Sequence, residues 1–251
     1  MTAEDVIAAL AIPDAALVGQ RVPKKLMLEQ GAPTPADKRR IQDGLDELFW
    51  VAALKPTTIG VPAYRDDTRE YLEVAVLRAT LKPLAKSARL IELIHRAVPY
   101  PVFLLSDHGG ATELSLAHKR WSQGESGKVV LEELRQVPLT GHPAPAIERS
   151  FLDTIRVSML PGRDLFALYD GLLARQTTLE AALVTGRYLT PAGPDTAASC
   201  RQALDRRAHL NRDLAILRAT AHKERQLNRR VELNLEIKRL EAALSDTENE
   251  L

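Results

Sequence analysis

The chain has a single cysteine, Cys200, among 251 residues. That excludes a disulfide framework and any metal site built from several thiolates, and it fits a reducing compartment. An excess of either charge is also missing. The 34 Lys and Arg residues face 33 Asp and Glu, which argues against a generally basic nucleic-acid binder and against an acidic solvating tail. No apolar run approaches the roughly 18 residues needed to cross a bilayer. Thr2-Ala3-Glu4-Asp5 is acidic where a secretion signal is positive, so a cytoplasmic location is expected. Aromatics are few (four Phe, two Trp, five Tyr), and all lie between Phe49 and Tyr188. The last glycine is Gly193 and the last proline Pro194, so the 57 residues 195–251 contain no Gly, Pro or aromatic side chain. A stretch lacking both breakers and large core pieces does not belong to one uniform globular fold.

What is present changes period along the chain. Thr2 is placed to cap a first helix carrying Val6, Ile7 and Leu10 on one face, stopped by Pro13. Residues 14–30 form a short apolar strip with a second turn of helix from Lys24. Thr34 and Pro35 start another helix, and Ile41, Leu45, Leu48, Phe49 and Ala52 extend its spacing to Leu54, with Gly44 marking a close contact. Residues 70–77 then alternate as a strand covered on both faces. Residues 87–98 return to helical spacing through Leu90, Ile91 and Ile94, and Val102-Phe103-Leu104-Leu105 reads as a buried strand. Asp107-His108-Gly109-Gly110 supplies a hairpin turn into a further strand over 112–118, with Leu114 and Leu116 facing inward. The strands on either side of the 87–98 helix are expected to run parallel. Residues 128–134 fit either another strand or a short helix. A Pro-rich connector at 137–145 leads to helices over 146–160 and 163–188. The expected fold is therefore α+β: a small mixed sheet with flanking helices over 1–137, a helical region over 146–189, and a long coiled-coil-like helix over 195–251.

That last helix would be about 75 Å long if continuous, at about 1.5 Å per residue. Leu210, Leu214, Leu217 and Ala221 form one seam at spacings of four, three and four, and Leu233, Ile237, Leu240 and Leu244 form another. The two seams are out of phase, so the register shifts between 221 and 233. Charge divides in the same place. Residues 195–230 hold nine basic and four acidic side chains, whereas 231–251 hold two basic and six acidic ones. Antiparallel pairing would bring opposite charges together.

No catalytic constellation emerges. Gly124-Glu125-Ser126-Gly127-Lys128 departs from a phosphate loop at Ser122 and Val129, and is one residue short of a nucleophile elbow. Glu70 and Glu73 share a strand with no acid-x-Lys partner, which leaves a degenerate magnesium-dependent nuclease using a distant lysine as an alternative. His108 and His118, with Asp107, would make a metal site only if the hairpin brought them together. No cofactor and no metal ligand are assigned.

Val22-Pro23-Lys24-Lys25, Ile59-Gly60-Val61-Pro62, Pro99-Tyr100-Pro101-Val102 and the run from Lys223-Glu224-Arg225-Gln226 through Asn234 resemble a bacterial family of unknown function, the domain numbered 4391. The resemblance implies a setting beside helicase and DNA-methyltransferase genes in restriction-like, antiviral loci, and the role of an accessory subunit. It carries over no catalytic residues. Lys223, Gln226, Asn228, Arg229, Arg230 and Asn234 are the expected partner-binding positions. Lys223, Gln226 or Leu227, Arg230 and Asn234 are expected on one helical face, and Asn228 where the upstream seam would project, a place for a buried, register-fixing Asn. The expected partner is a helicase or DNA methyltransferase subunit, with self-association through the C-terminal helix and contact with DNA, direct or through the complex, as further possibilities. An alternative DNA-binding reading rests on Arg206, Arg207, Arg212 and Arg229 in the basic half.

Overall fold

The centre of the fold is a pair of parallel strands, β5 (Val74–Leu81) and β6 (Val102–His108), joined by α5 (Ser87–Ala97) in the computed structural model. The described residues are 1–124, 129–139, 145–190 and 193–251. Two compact units divide the chain, Met1–Gln176 and Thr177–Leu251.

In the first unit, β1 (Leu17–Arg21), β2 (Leu45–Leu54), β7 (Ala111–Trp121) and β8 (Val129–Pro138) complete a six-stranded mixed sheet in the order β1-β2-β5-β6-β7-β8. Only the β5–β6 pair is parallel among the described strands. Ala75, Leu77, Ala79 and Leu104 pack under α5, α2 (Lys24–Gln30) and α3 (Pro35–Gly44), through Leu90, Ile91, Ile94, Met27 and Ile41. The opposite face carries Val74, Val76, Phe103 and Leu105, also buried, so the sheet is covered on both sides as its apolar runs require. Arg78 on that face reaches Glu4 of α1 (Ala3–Leu10) at 2.5 Å and Asp107 at 2.7 Å. Thr2 caps α1 by accepting from Asp5 N.

Three expectations are corrected. The helix expected over 34–54 ends at Gly44, and Leu45–Leu54 is strand β2. Register shifts at Leu45/Glu47 and Trp50/Ala52 are the reason: bulges put Leu45 and Leu48, three residues apart, on one buried face and so imitate a helical period. Gly44 does mark a close approach, since a Cβ there would lie 2.6 Å from Leu90 Cδ1. The strand expected over 70–77 is two strands. β4 (Glu70–Tyr71) pairs with β3 (Tyr64–Arg65) in a separate two-stranded sheet that follows the short α4 (Pro56–Ile59), and Leu72 is exposed. The helix expected over 146–160 is α6 (Pro145–Thr154) followed by a single 3-10 turn at Val157–Met159.

Elsewhere the expected pieces are in place. Gly109 and Gly110 both take positive φ, 58° and 85°, in a two-residue turn between His108 and Ala111. Residues 129–138 resolve the open choice as a strand. Residues 125–128 of the glycine-containing segment and 140–144 of the Pro-rich connector lie outside the described residues. No helix of the described residues is long and apolar enough to cross a membrane.

Three buried polar side chains lock the first unit. Lys119 Nζ donates to the carbonyls of His95 (2.6 Å), Val98 (2.5 Å) and Tyr100 (2.5 Å), closing the C-terminus of α5. Burial pushes this amine down to about 7, but three converging carbonyls call for three N–H donors, which only the ammonium has. Tyr169 of α7 (Leu165–Thr185) accepts from Ala117 N at 3.0 Å and donates to Val102 O at 2.7 Å. Gln176 donates to Leu114 O and Arg135 O across β7 and β8.

Candidate functional site

The second unit contains α8 (Pro194–Lys223) and α9 (Leu227–Asn249), and the breaker-free stretch is therefore two helices rather than one. Glu224-Arg225-Gln226 makes the turn. Glu224 and Gln226 adopt extended ψ of 127° and 120°, and Glu224 Oε1 accepts from Gln226 N at 2.8 Å. The helices fold back on each other, and their ion pairs run antiparallel. Arg218 meets Glu241 at 2.7 Å, Arg207 meets Glu248 at 2.8 Å, and Arg206 meets Glu250. The basic and acidic halves thus neutralise each other within one chain. Both leucine seams point into the hairpin: Leu214, Ala221 and Leu233 are buried, and Leu210, Leu217, Ile237, Leu240 and Leu244 are half-buried. The phase change between the seams is the turn itself.

A second apolar line lies on the outside of α9. Leu227, Val231 and Leu235 follow at intervals of four and are 64, 49 and 55% exposed. At about 100° per residue they point away from the Leu233–Leu240 seam. Asn228, Arg230, Glu232, Asn234, Lys238 and Arg239 border this line, all exposed. The arrangement is that of a short apolar stripe with flanking charges, presented to the outside.

The expected partner-binding residues gather at this turn and on the first turns of α9. Lys223 ends α8, Gln226 is the N-cap of α9, and Asn228, Arg229, Arg230 and Asn234 lie on α9. Two details change. Asn228 is exposed rather than buried in a seam, because the seam stops at the turn. Lys223 shares no helical face with Arg230 and Asn234, because the helix is interrupted between them. Arg229 is paired with Glu232 at 2.7 Å. Of the arginines in the DNA-binding alternative, Arg206 and Arg207 are engaged with Glu250 and Glu248, while Arg212 is exposed and donates to Ala208 O.

The first unit contains a polar cluster with no local trace in the sequence. Tyr71 OH lies 2.6 Å from His118 Nδ1 and accepts from Lys119 N at 3.3 Å, so its own proton is directed at the imidazole. His118 Nε2 then faces Asp170 Oδ1 at 3.4 Å. Phe166 is stacked between His118 and Tyr64, with Arg69 over its ring. The connectivity is that of an acid–imidazole–hydroxyl relay. Tyr71 is fully buried, however, and burial raises its pKa, so the phenol stays neutral. The cluster ties β4 and β7 to α7.

The acidic and histidine candidates separate. Glu70 pairs with Arg65 at 3.3 Å, and buried Glu73 pairs with Lys55 at 3.0 Å. His118 lies seven positions beyond Ala111, the partner of His108, a distance of about 23 Å at about 3.3 Å per residue. Among the described residues, no group of three His, Cys, Asp or Glu side chains could hold a metal ion.

A family profile described as "Domain of unknown function (DUF4391)" matches residues 10–244. The chain belongs to this family. The DUF4391 match takes in the whole sheet, α8 and most of α9, so the hairpin is part of the family domain and not an appended tail. Most of α1 precedes it. No curated protein and no solved structure shows significant similarity to the chain.

Proposed function

We propose that the chain is a non-catalytic assembly subunit of a cytoplasmic, DNA-processing complex in bacterial antiviral defence or restriction-modification. Its hairpin docks on a helicase or DNA methyltransferase subunit. The observation that carries this reading is the exposed line Leu227, Val231 and Leu235 with its border of three cations, Arg230, Lys238 and Arg239, one acid, Glu232, and two asparagines. A helix whose inner seam is already covered gains nothing within its own hairpin from a second leucine line. An amphipathic helix of a partner would cover it, with acidic residues meeting the flanking cations.

Co-expression with bacterial helicase and DNA-methyltransferase subunits of the class proposed, followed by size exclusion, tests the reading. Co-elution is expected, and is expected to be lost in Val231→Asp/Leu235→Asp with the helical signal unchanged. A chain that co-elutes with none of them would overturn it. A second copy of the chain is the other occupant to be tested, and light scattering separates the two by mass.

A further inference from the structure

The carboxyl end of β5, the first strand of the parallel pair, opens into the loop that leads to α5. In this chain that place is occupied by Lys82-Pro83-Leu84-Ala85-Lys86, between β5 and α5. Lys82 N donates to Gly44 O at 2.8 Å and Ala85 N to Lys82 O at 2.9 Å, so the loop is pinned to the end of α3. Between them lies a cavity of about 650 Å³. Small-ligand sites span roughly 300–1,000 Å³.

Its chemistry has two parts. Gly44, Ala85 and buried Leu90 make an apolar floor, and Leu84 at the rim is 98% exposed. Arg39, Arg40, Lys82 and Lys86 supply the polar wall, against the single acid Asp43. Arg40 is held by Asp37 at 3.1 Å. Arg39, Lys82 and Lys86 have no ion-pair partner among the described residues. With Arg40 paired to Asp37 and Asp43 the single acid of the lining, Arg39, Lys82 and Lys86 leave an excess of positive charge around the concavity, which a compact, multiply charged anion suits best. The apolar floor suits a flat, uncharged group attached to that anion.

We propose that this cavity binds a nucleoside phosphate, its phosphates on Arg39, Lys82 and Lys86 and its base against Gly44, Ala85, Leu90 and the exposed Leu84. The nucleotide is either free or part of a single strand. The site belongs to the first unit and stands whether or not the hairpin docks on a partner.

Binding of a fluorescent adenosine nucleotide and of a short labelled oligothymidylate to the full chain, at low and rising salt, tests it. Binding of the nucleotide alone assigns the free ligand, and binding of the oligothymidylate assigns the strand; either supports the site. The triple substitution Arg39→Glu, Lys82→Glu, Lys86→Glu, all at exposed positions, is expected to weaken binding at least about tenfold. It is also expected to flatten the logarithmic salt slope for the strand, which three contacts place at about −2. Leu84→Ser should weaken binding without changing that slope. Lys223→Glu, Arg225→Glu, Arg230→Glu on the hairpin should leave binding as it was. The proposal is overturned if neither probe binds at low salt, if the Arg39 triple binds like the parent, if the hairpin triple loses binding equally, or if a labelled polyglutamate peptide binds better than both nucleotide probes.

Discussion

Arg218 near the end of α8 donates to Glu241 of α9 at 2.7 Å, and the next pair back along α8, Arg207 with Glu248, is formed further forward on α9. This ordering is the signature of a hairpin. In one continuous helix residues 207 and 248 would stand about 60 Å apart at about 1.5 Å per residue. Spin labels at 207 and 248, on a background with Cys200→Ala, should read a distance below about 20 Å. That distance should persist when labelled chain is diluted with a large excess of unlabelled chain. A long distance, or a short one that vanishes on dilution, would show the pairing to be absent or between chains.

The inner and outer leucines of α9 should respond differently to truncation. Leu233 is 4% exposed, and Leu233→Ala is expected to destabilise the chain by about 2–3 kcal/mol. Leu235→Ala, at 55% exposure, should change stability by less than about 0.5 kcal/mol. Urea melts followed by helical ellipticity check this, and equal effects would mean that the seam has been misplaced.

Asp37 has a side chain 2% exposed and accepts from Arg89 at 3.0 and 2.9 Å, from Arg40 at 3.1 Å and from Thr34 at 2.8 Å. The Arg89 guanidinium, more than any other neighbour, holds this carboxyl well below the usual range. A depressed folded-state pKa contributes stability that is present above the unfolded value, near 4, and lost as pH falls through the folded one. Asp37→Asn should therefore cost about 2–3 kcal/mol at neutral pH. Most of the difference from the parent should disappear toward pH 2. A difference that stays constant with pH in urea melts would contradict the assignment.

Lys119→Met keeps the length of the side chain and removes all donors to the carbonyls of His95, Val98 and Tyr100. A loss of about 3 kcal/mol is expected, together with faster amide exchange over the last turn of α5. Unchanged exchange there would show that Lys119 does not close the helix.

Some of this was legible in the sequence and some was not. Helix α5 could be read because Leu90, Ile91 and Ile94 follow a single undistorted period. Strand β2 could not, because its bulges placed Leu45 and Leu48 on one face at a spacing a helix shares. The turn at Glu224-Arg225-Gln226 showed only as the shift in seam phase between 221 and 233, because it has neither Gly nor Pro to mark a break. The cluster of Tyr71, His118, Phe166 and Asp170 was invisible because its members come from β4, β7 and α7, and no local spacing links them.

The sequence by itself determined two leucine seams, a basic segment followed by an acidic one, and aromatic side chains confined to the residues before 195. These are matters of local period and composition. Only the tertiary structure decided that the two seams face each other within one chain, and that Leu227, Val231 and Leu235 are left outside. The reason is proximity. A short connector holds α9 beside α8 at an effective concentration that a separate copy does not match, so the nearer partner covers the seams and the remaining line stays open.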